Sequence, residues 1–263
     1  MSWWGLDHDR VDAGPSDLES RRFSRSVARV VVGARTQWSS EVAAALASAL
    51  DRDEDVLVVR YPSILAGCAF QFTKTGRDVL PADSLTYWQG PPELVAKCAE
   101  TDEAVPDMVR PDEVDPAQLA EAVAVTFDGY VNHYSANPLF DDRLANDGYV
   151  EWVTSTLAAD PRDGALVVSD GEVDAWGMWG AEPAGNDFEW MMAGVTPRAR
   201  GRSLYNVVMA RAGQEAVDRG ATRVLVSTQG ANVGIQRVWA RAGLLAFADF
   251  TTVHLVKPGL LTR

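Results

Sequence analysis

Cysteine is scarce: Cys68 and Cys98 are the only two in 263 residues. Two thiols cannot build a disulfide framework, and such sparing use fits a reducing compartment, so a cytoplasmic protein is expected. Histidine is almost as rare, with His8, His133 and His254 far apart in the chain. No Cys/His cluster has the spacing of metal ligands, so no metal is expected. Positive charge is also short: 24 Lys and Arg stand against 37 Asp and Glu, a net charge of −13. Such a surface repels nucleic acid and acidic membranes, and neither is expected as a partner. No apolar run is long enough to span a bilayer, and the opening MSWWGLDHDRVDAG lacks the apolar core of a signal peptide. Two common phosphate-binding signatures are missing as well. No Gly-Lys-Ser or Gly-Lys-Thr marks a Walker loop, and no Gly-x-Gly-x-x-Gly marks a dinucleotide site.

What remains is an ordinary globular composition, 47% apolar and 23% charged, with room for one large domain or two small ones. Residues 1–22 are polar and irregular and read as a flexible arm. Val27–Val32 and Val56–Tyr61 read as apolar strands. Glu41–Leu50, capped by Ser39 or Ser40, and Ser63 to about Thr73 read as helices, and Ala82–Gln89 reads as a further strand. That is a β-α-β-α-β unit over residues 23–102, closed by the break at Gly90-Pro91-Pro92. A second unit, 103–263, runs β-α-α-β-β-β-α-β-α-β. Its first helix starts at Asp115-Pro116, and Asp170-Gly171 joins two strands as a hairpin. The expected fold class is α/β with a mixed sheet.

One stretch of the second unit carries chemistry. Gly194-Val195-Thr196-Pro197-Arg198-Ala199-Arg200-Gly201-Arg202-Ser203-Leu204-Tyr205 leaves an apolar strand and opens a helix running to about Asp218. A helix start leaves backbone N–H groups without intrahelical partners, and the helix dipole adds roughly half a positive charge there. Gly201 admits a ligand close to the backbone, and three arginines add fixed charge. A pyrophosphate fits such a turn.

This strand–loop–helix resembles motif A of the GNAT acetyltransferases, Arg/Gln-x-x-Gly-x-Gly/Ala, which cradles the pyrophosphate of acetyl-CoA. In one register Arg200 opens the motif, Ser203 replaces its first glycine and Tyr205 its second small residue. In another the motif is Arg198-x-x-Gly201-x-Ser203. The element order over about 107–256 is also the GNAT order. The resemblance implies acetyl-CoA as co-substrate, held by Ala193, Val195, Arg200, Gly201, Arg202, Ser203, Leu204 and Tyr205, with Asn232 on the pantetheine arm. It further places Trp239, within Trp239-Ala240-Arg241-Ala242-Gly243-Leu244, where many members carry a tyrosine general acid; an indole cannot serve as one. Within the superfamily the chain most resembles the TDP-fucosamine acetyltransferases, through Thr228-Gln229 before Asn232 and through Tyr149-Val150-Glu151-Trp152. That likeness implies N-acetylation of an amino sugar, nucleotide-linked, and family habit implies a homodimer.

Direct acyl transfer needs a neutral amine placed on the thioester. The base candidates are Glu189 or Asp187 on the strand before the loop, and His133. With Tyr134 and Asn137, His133 can also contact sugar hydroxyls, and Tyr149 can stack on a ring. The overall acidity suits a polycation, so an aminoglycoside or a polyamine is an alternative acceptor. A non-catalytic acyl-CoA-binding module is a third reading, consistent with the degenerate glycines and Trp239.

Overall fold

Val27–Val32 (β2) and Val56–Pro62 (β3) are dense in branched apolar residues and lie side by side as parallel strands, joined through the helix Ser40–Leu50 (α2). Ser39 caps α2 by accepting the Val42 N–H. The computed structural model describes residues 2–99, 108–182 and 185–261. Within them the other strands are Val11–Pro15 (β1), Asp78–Gly90 (β4), Met108–Val109 (β5), Gly164–Ser169 (β6), Glu172–Ala181 (β7), Asp187–Val195 (β8), Arg223–Gln229 (β9) and Leu245–Val256 (β10). The other helices are Asp17–Phe23 (α1), Gly67–Phe72 (α3), Pro92–Ala96 (α4), Pro116–Phe127 (α5), Asp142–Ala159 (α6), Leu204–Asp218 (α7) and Val233–Arg241 (α8). The β6–β7 hairpin turns through Asp170 and Gly171, both at positive φ (53° and 79°), as a tight Asp-Gly turn requires.

All the described strands form one mixed sheet, in the order β1-β2-β3-β10-β4-β9-β8-β7-β6-β5. β10 lies antiparallel between β3 and β4, and β4 lies against β9. The expected boundary at 102/103 lies outside the described residues; strands from both sides of it interleave in this sheet. Around the first half of the sheet, α2 and α3 cover one face through Leu46, Leu50 and Phe72. Phe23 of α1, with Tyr134, Phe140 and Ala145, covers the other. In the second half, α7 packs Leu204, Val208, Met209 and Ala212 against Trp179, Trp190 and Val226. On the opposite face, α5 and α6 meet Leu166, Trp176 and Met178. At Gly213 of α7 a Cβ would stand 2.3 Å from the Ala96 nitrogen, so glycine is what lets α4 lie directly on α7.

Two expectations change. Residues 2–22, read as a flexible arm, are built into the fold: Trp3–Gly5 is a 3-10 turn, followed by β1 and α1. Trp3 and Leu6 are buried against Tyr87, Leu225 and Phe250, and two adjacent tryptophans offer more apolar surface than a solvated arm leaves in water. The helix expected over Ser63–Thr73 is confined to Gly67–Phe72. No helix among the described residues is long and apolar enough to cross a membrane.

Candidate active site

β8 and β9 run parallel only from Asp187↔Arg223 to Trp190↔Val226. Beyond that pair they part, although β8 continues to Val195 and β9 to Gln229. A bulge in the β7–β8 ladder, between Met178/Met192 and Trp179/Trp190, falls at the same level and bends β8 away. From Met191 onward the β9-facing edge of β8 therefore has no strand partner among the described residues. Into this gap opens a cavity of about 680 Å³ lined from both sides of the sheet: Trp190, Tyr205 and Trp239 on one, Phe127, Tyr130 and Tyr149 on the other.

The arginine loop stands at one end. After β8, Thr196 donates its N–H to the Asp174 carbonyl at 2.9 Å, and Pro197–Ala199 makes a 3-10 turn. Arg198 pairs with Glu172 and Asp174 at 2.6 and 2.7 Å, and Arg202 pairs with Asp174 at 2.9 Å. Asp174 is buried and also accepts from the Ser169 hydroxyl. Two of the three arginines are thus spent on bracing the loop. Arg200 alone lines the cavity, and no carboxylate pairs with it among the described residues. Gly201 has φ +84° and Ser203 φ +57°, and no side chain caps α7. These two residues shape the bend into α7, whose first-turn N–H groups no side chain caps. An uncapped helix start with Arg200 beside it fits a pyrophosphate. Ser203 holds the left-handed conformation that glycine adopts without strain, which is where the first register puts a family glycine. Ser203→Gly should therefore raise stability by up to about 1 kcal/mol, the relief of left-handed strain less the added freedom of the unfolded chain. A thermal melt showing a clear loss would mean that the hydroxyl holds the loop.

Across the gap, Asn232 precedes α8 and donates Nδ2 to Thr228 Oγ1 at 3.1 Å. Ala193, Val195 and Asn232 line the cavity, whereas Gly201, Arg202, Ser203 and Leu204 form the loop outside its wall. Trp239 is buried, meets Trp88 edge-on, and donates its indole N–H to Tyr205 Oη at 3.1 Å. The Tyr205 ring lies over Trp190. Burial raises its phenol above the usual range, so the hydroxyl stays protonated. With the indole donating to it, its own hydrogen is left for the cavity.

The base candidates fare differently. Glu189 is 2% exposed, is absent from the cavity wall, and accepts the Trp3 N–H at 2.8 Å. Asp187 is clamped by the Arg223 guanidinium. His133 reaches the cavity wall, but its neighbours fix its tautomer. Asn137 Oδ1 accepts the Leu139 N–H at 3.0 Å, so its amide nitrogen donates to His254 Nδ1 at 3.2 Å. His254 Nε2 then donates to His133 Nδ1 at 3.0 Å. The acceptor nitrogen of His133 is occupied, its proton sits on Nε2, and burial holds the imidazole well below its usual range. His133 can donate a hydrogen bond into the site; it cannot act as base. Asn137 belongs to this buried chain and does not line the cavity. Tyr134 lines it but gives its hydroxyl to Glu19 at 2.6 Å, and Tyr149 stacks on Phe127 at 4.5 Å.

Sequence reading missed Arg29 and Arg60, which line the far end of the cavity with Arg22. The signal was there for Arg60: a lone charge inside the apolar run Val56-Leu57-Val58-Val59-Arg60-Tyr61. Among the described residues no carboxylate appears in the cavity wall.

No family model and no curated protein matches the chain. Solved structures do. A GCN5-related N-acetyltransferase from Sphaerobacter thermophilus superposes with TM-score 0.59 at 14% identity, over 96% of this chain and 78% of that one. A tandem GNAT protein from the clavulanic acid biosynthesis pathway gives 0.56 at 16%, over 88% and 75%. A GCN5-related glucosamine N-acetyltransferase region of a fungal multi-domain GH3 β-N-acetylglucosaminidase gives 0.54 at 14%, over 93% of this chain and 31% of that one. At such identities the likeness is one of architecture, and by that architecture the chain has the GCN5-related N-acetyltransferase fold over most of its length.

Proposed function

We propose that the protein is an acetyl-CoA-dependent N-acetyltransferase whose acceptor is a small amine, an amino sugar in particular, with a nucleotide-linked 4-amino-dideoxyhexose as the leading form. The observation that carries this reading is the cavity itself. It joins the arginine loop at the start of α7, through the gap between β8 and β9, to a far end lined by aromatic rings and arginines. The GNAT architecture supports acetyl transfer, and the glucosamine N-acetyltransferase region of the same fold gives an amino-sugar precedent.

Acetyl-CoA supplies an activated acyl carbonyl when bound. The loop amides and Arg200 hold its pyrophosphate, Asn232 meets the pantetheine arm, and the unpaired edge of β8 beyond Trp190 offers backbone groups along the gap. The protein's work on the amine is largely positional, since orientation alone is worth effective molarities of roughly 10⁵ M or more. With arginines and no carboxylate in the wall, the cavity disfavours an ammonium, so the amine enters neutral and passes its surplus proton to water. Tyr205 donates a hydrogen bond to the departing thiolate in place of the missing tyrosine at Trp239. Tyr205→Phe should lower kcat by about 10- to 100-fold and leave the Kd for acetyl-CoA unchanged; an unchanged kcat would remove Tyr205 from the reaction.

The direct test is free-thiol release from acetyl-CoA with a TDP-4-amino-4,6-dideoxyhexose, glucosamine and spermidine. Release with a sugar amine and none with spermidine is expected. Release with spermidine alone would overturn the acceptor class. Tight acetyl-CoA binding without release on a wider amine panel would favour the binding-module reading.

A further inference from the structure

Arg60 is an expensive residue for its position. It lies in β3, is 9% exposed, and lines the far end of the cavity. Among the described residues its one hydrogen bond runs from Nε to Thr252 Oγ1 on β10 at 3.1 Å. Burial pushes the guanidinium below its usual value, as expected of a charge taken out of water without a counter-ion.

The carboxylates around it are either engaged elsewhere or stand off from it. Glu19 is bound by Arg29 through Nε and Nη2, both at 2.8 Å, and by the Tyr134 hydroxyl at 2.6 Å. Burial works to raise the Glu19 carboxyl, but Arg29 prevails and holds it at about 2. Arg22 pairs with Glu151 at 2.8 Å. Asp83 acts on Arg60 only at longer range and makes no ion pair with it. Its carboxyl is raised by burial to about 6. His133 is neutral and its tautomer is fixed by His254. Among the described residues no carboxylate therefore forms an ion pair with Arg60, which lines this end of the cavity with Nε already bonded to Thr252.

We infer that the acceptor carries, besides its amine, an oxyanion, a carboxylate or a phosphate, that docks on the Nη edge of Arg60. This rests on the acyltransferase reading and names what that acceptor presents to the far end of the cavity. A guanidinium matches two oxygens of one anion at once, which a point charge does not. The same contact orients the acceptor: its anion sits at Arg60 and its amine faces the gap between β8 and β9. A polyamine has nothing to place there.

The test uses the whole protein saturated with CoA, so that the loop is filled. Inorganic phosphate and succinate are titrated separately by calorimetry into the wild type, Arg60→Met and Arg60→Lys. At least one anion should bind the wild type, lose at least tenfold in affinity in Arg60→Met, and recover in part in Arg60→Lys, with CoA affinity equal in all three. Phosphate alone would assign a phosphorylated acceptor, succinate alone a carboxylate. No binding by either anion, or equal binding to Arg60→Met, overturns the inference. If Arg60→Met does not fold, Arg60→Lys carries the comparison, and unaltered anion affinity in it overturns the inference. Failure of the wild type to bind CoA would sink the acyltransferase reading instead, and the anion titrations on the free protein would still judge Arg60.

Discussion

Arg200→Glu should raise the Kd for acetyl-CoA about 100-fold, equivalent to about 2.7 kcal/mol. A hydrogen bond to a charged group is worth about 1.5–3 kcal/mol, and the introduced carboxylate adds repulsion beside a pyrophosphate. The neighbours show why the effect belongs to this arginine. Arg198 and Arg202 are tied to Asp174, whereas Arg200 lines the cavity with no such tie. Arg198→Ala should change the Kd less than about threefold at matched salt, because that guanidinium already faces Glu172 and Asp174. Calorimetric titration of both variants decides the matter. Unchanged affinity in Arg200→Glu would take the loop out of cofactor binding, and an equal loss in both would mean that general charge, not placement, holds the ligand.

Glu189→Gln should remove a pH dependence of stability. Burial raises the Glu189 carboxyl to about 7, against an unfolded value near 4.5. The folded protein therefore holds a proton that the unfolded chain releases between those two values. Stability from this group is fully present below about pH 4.5 and is lost as pH rises to about 7. The loss amounts to about 3 kcal/mol, at 1.36 kcal/mol per pH unit. Glutamine keeps an acceptor for the Trp3 N–H and carries no charge. The variant should match the wild type near pH 4.5 and exceed it by about 3 kcal/mol at pH 8 in denaturant titrations. A gap that does not grow with pH would show that Glu189 stays ionised across the range.

Local chemistry was legible in the sequence wherever a few neighbouring residues decide the outcome. The Ser39 cap, the Asp170-Gly171 hairpin and the strand–loop–helix around Arg200 are of that kind, as is the order of elements after residue 107. What sequence could not reveal is set by partners far along the chain. Glu189 looks like a base at a strand mouth until the Trp3 amide is seen upon it. His133 looks like a base in a polar loop until His254 occupies Nδ1. Arg198, Arg200 and Arg202 are equivalent as letters, and buried Asp174 alone tells them apart. The cavity's far end was invisible for the same reason, since Arg22, Arg29 and Arg60 belong to the other half of the chain from the loop.

The placing of β10 between β3 and β4 has a consequence for synthesis. During translation β3 and β4 emerge early, yet neither can close against the other, because the strand that separates them comes almost two hundred residues later than β3. The nascent first half therefore waits with an open seam of strand edges, exposed to mispairing, until Leu245–Val256 leaves the ribosome. Contacts so distant in sequence make for slow folding. A circular permutant that begins at β10 would deliver the missing strand first, and should refold faster than the natural order while keeping the same sheet.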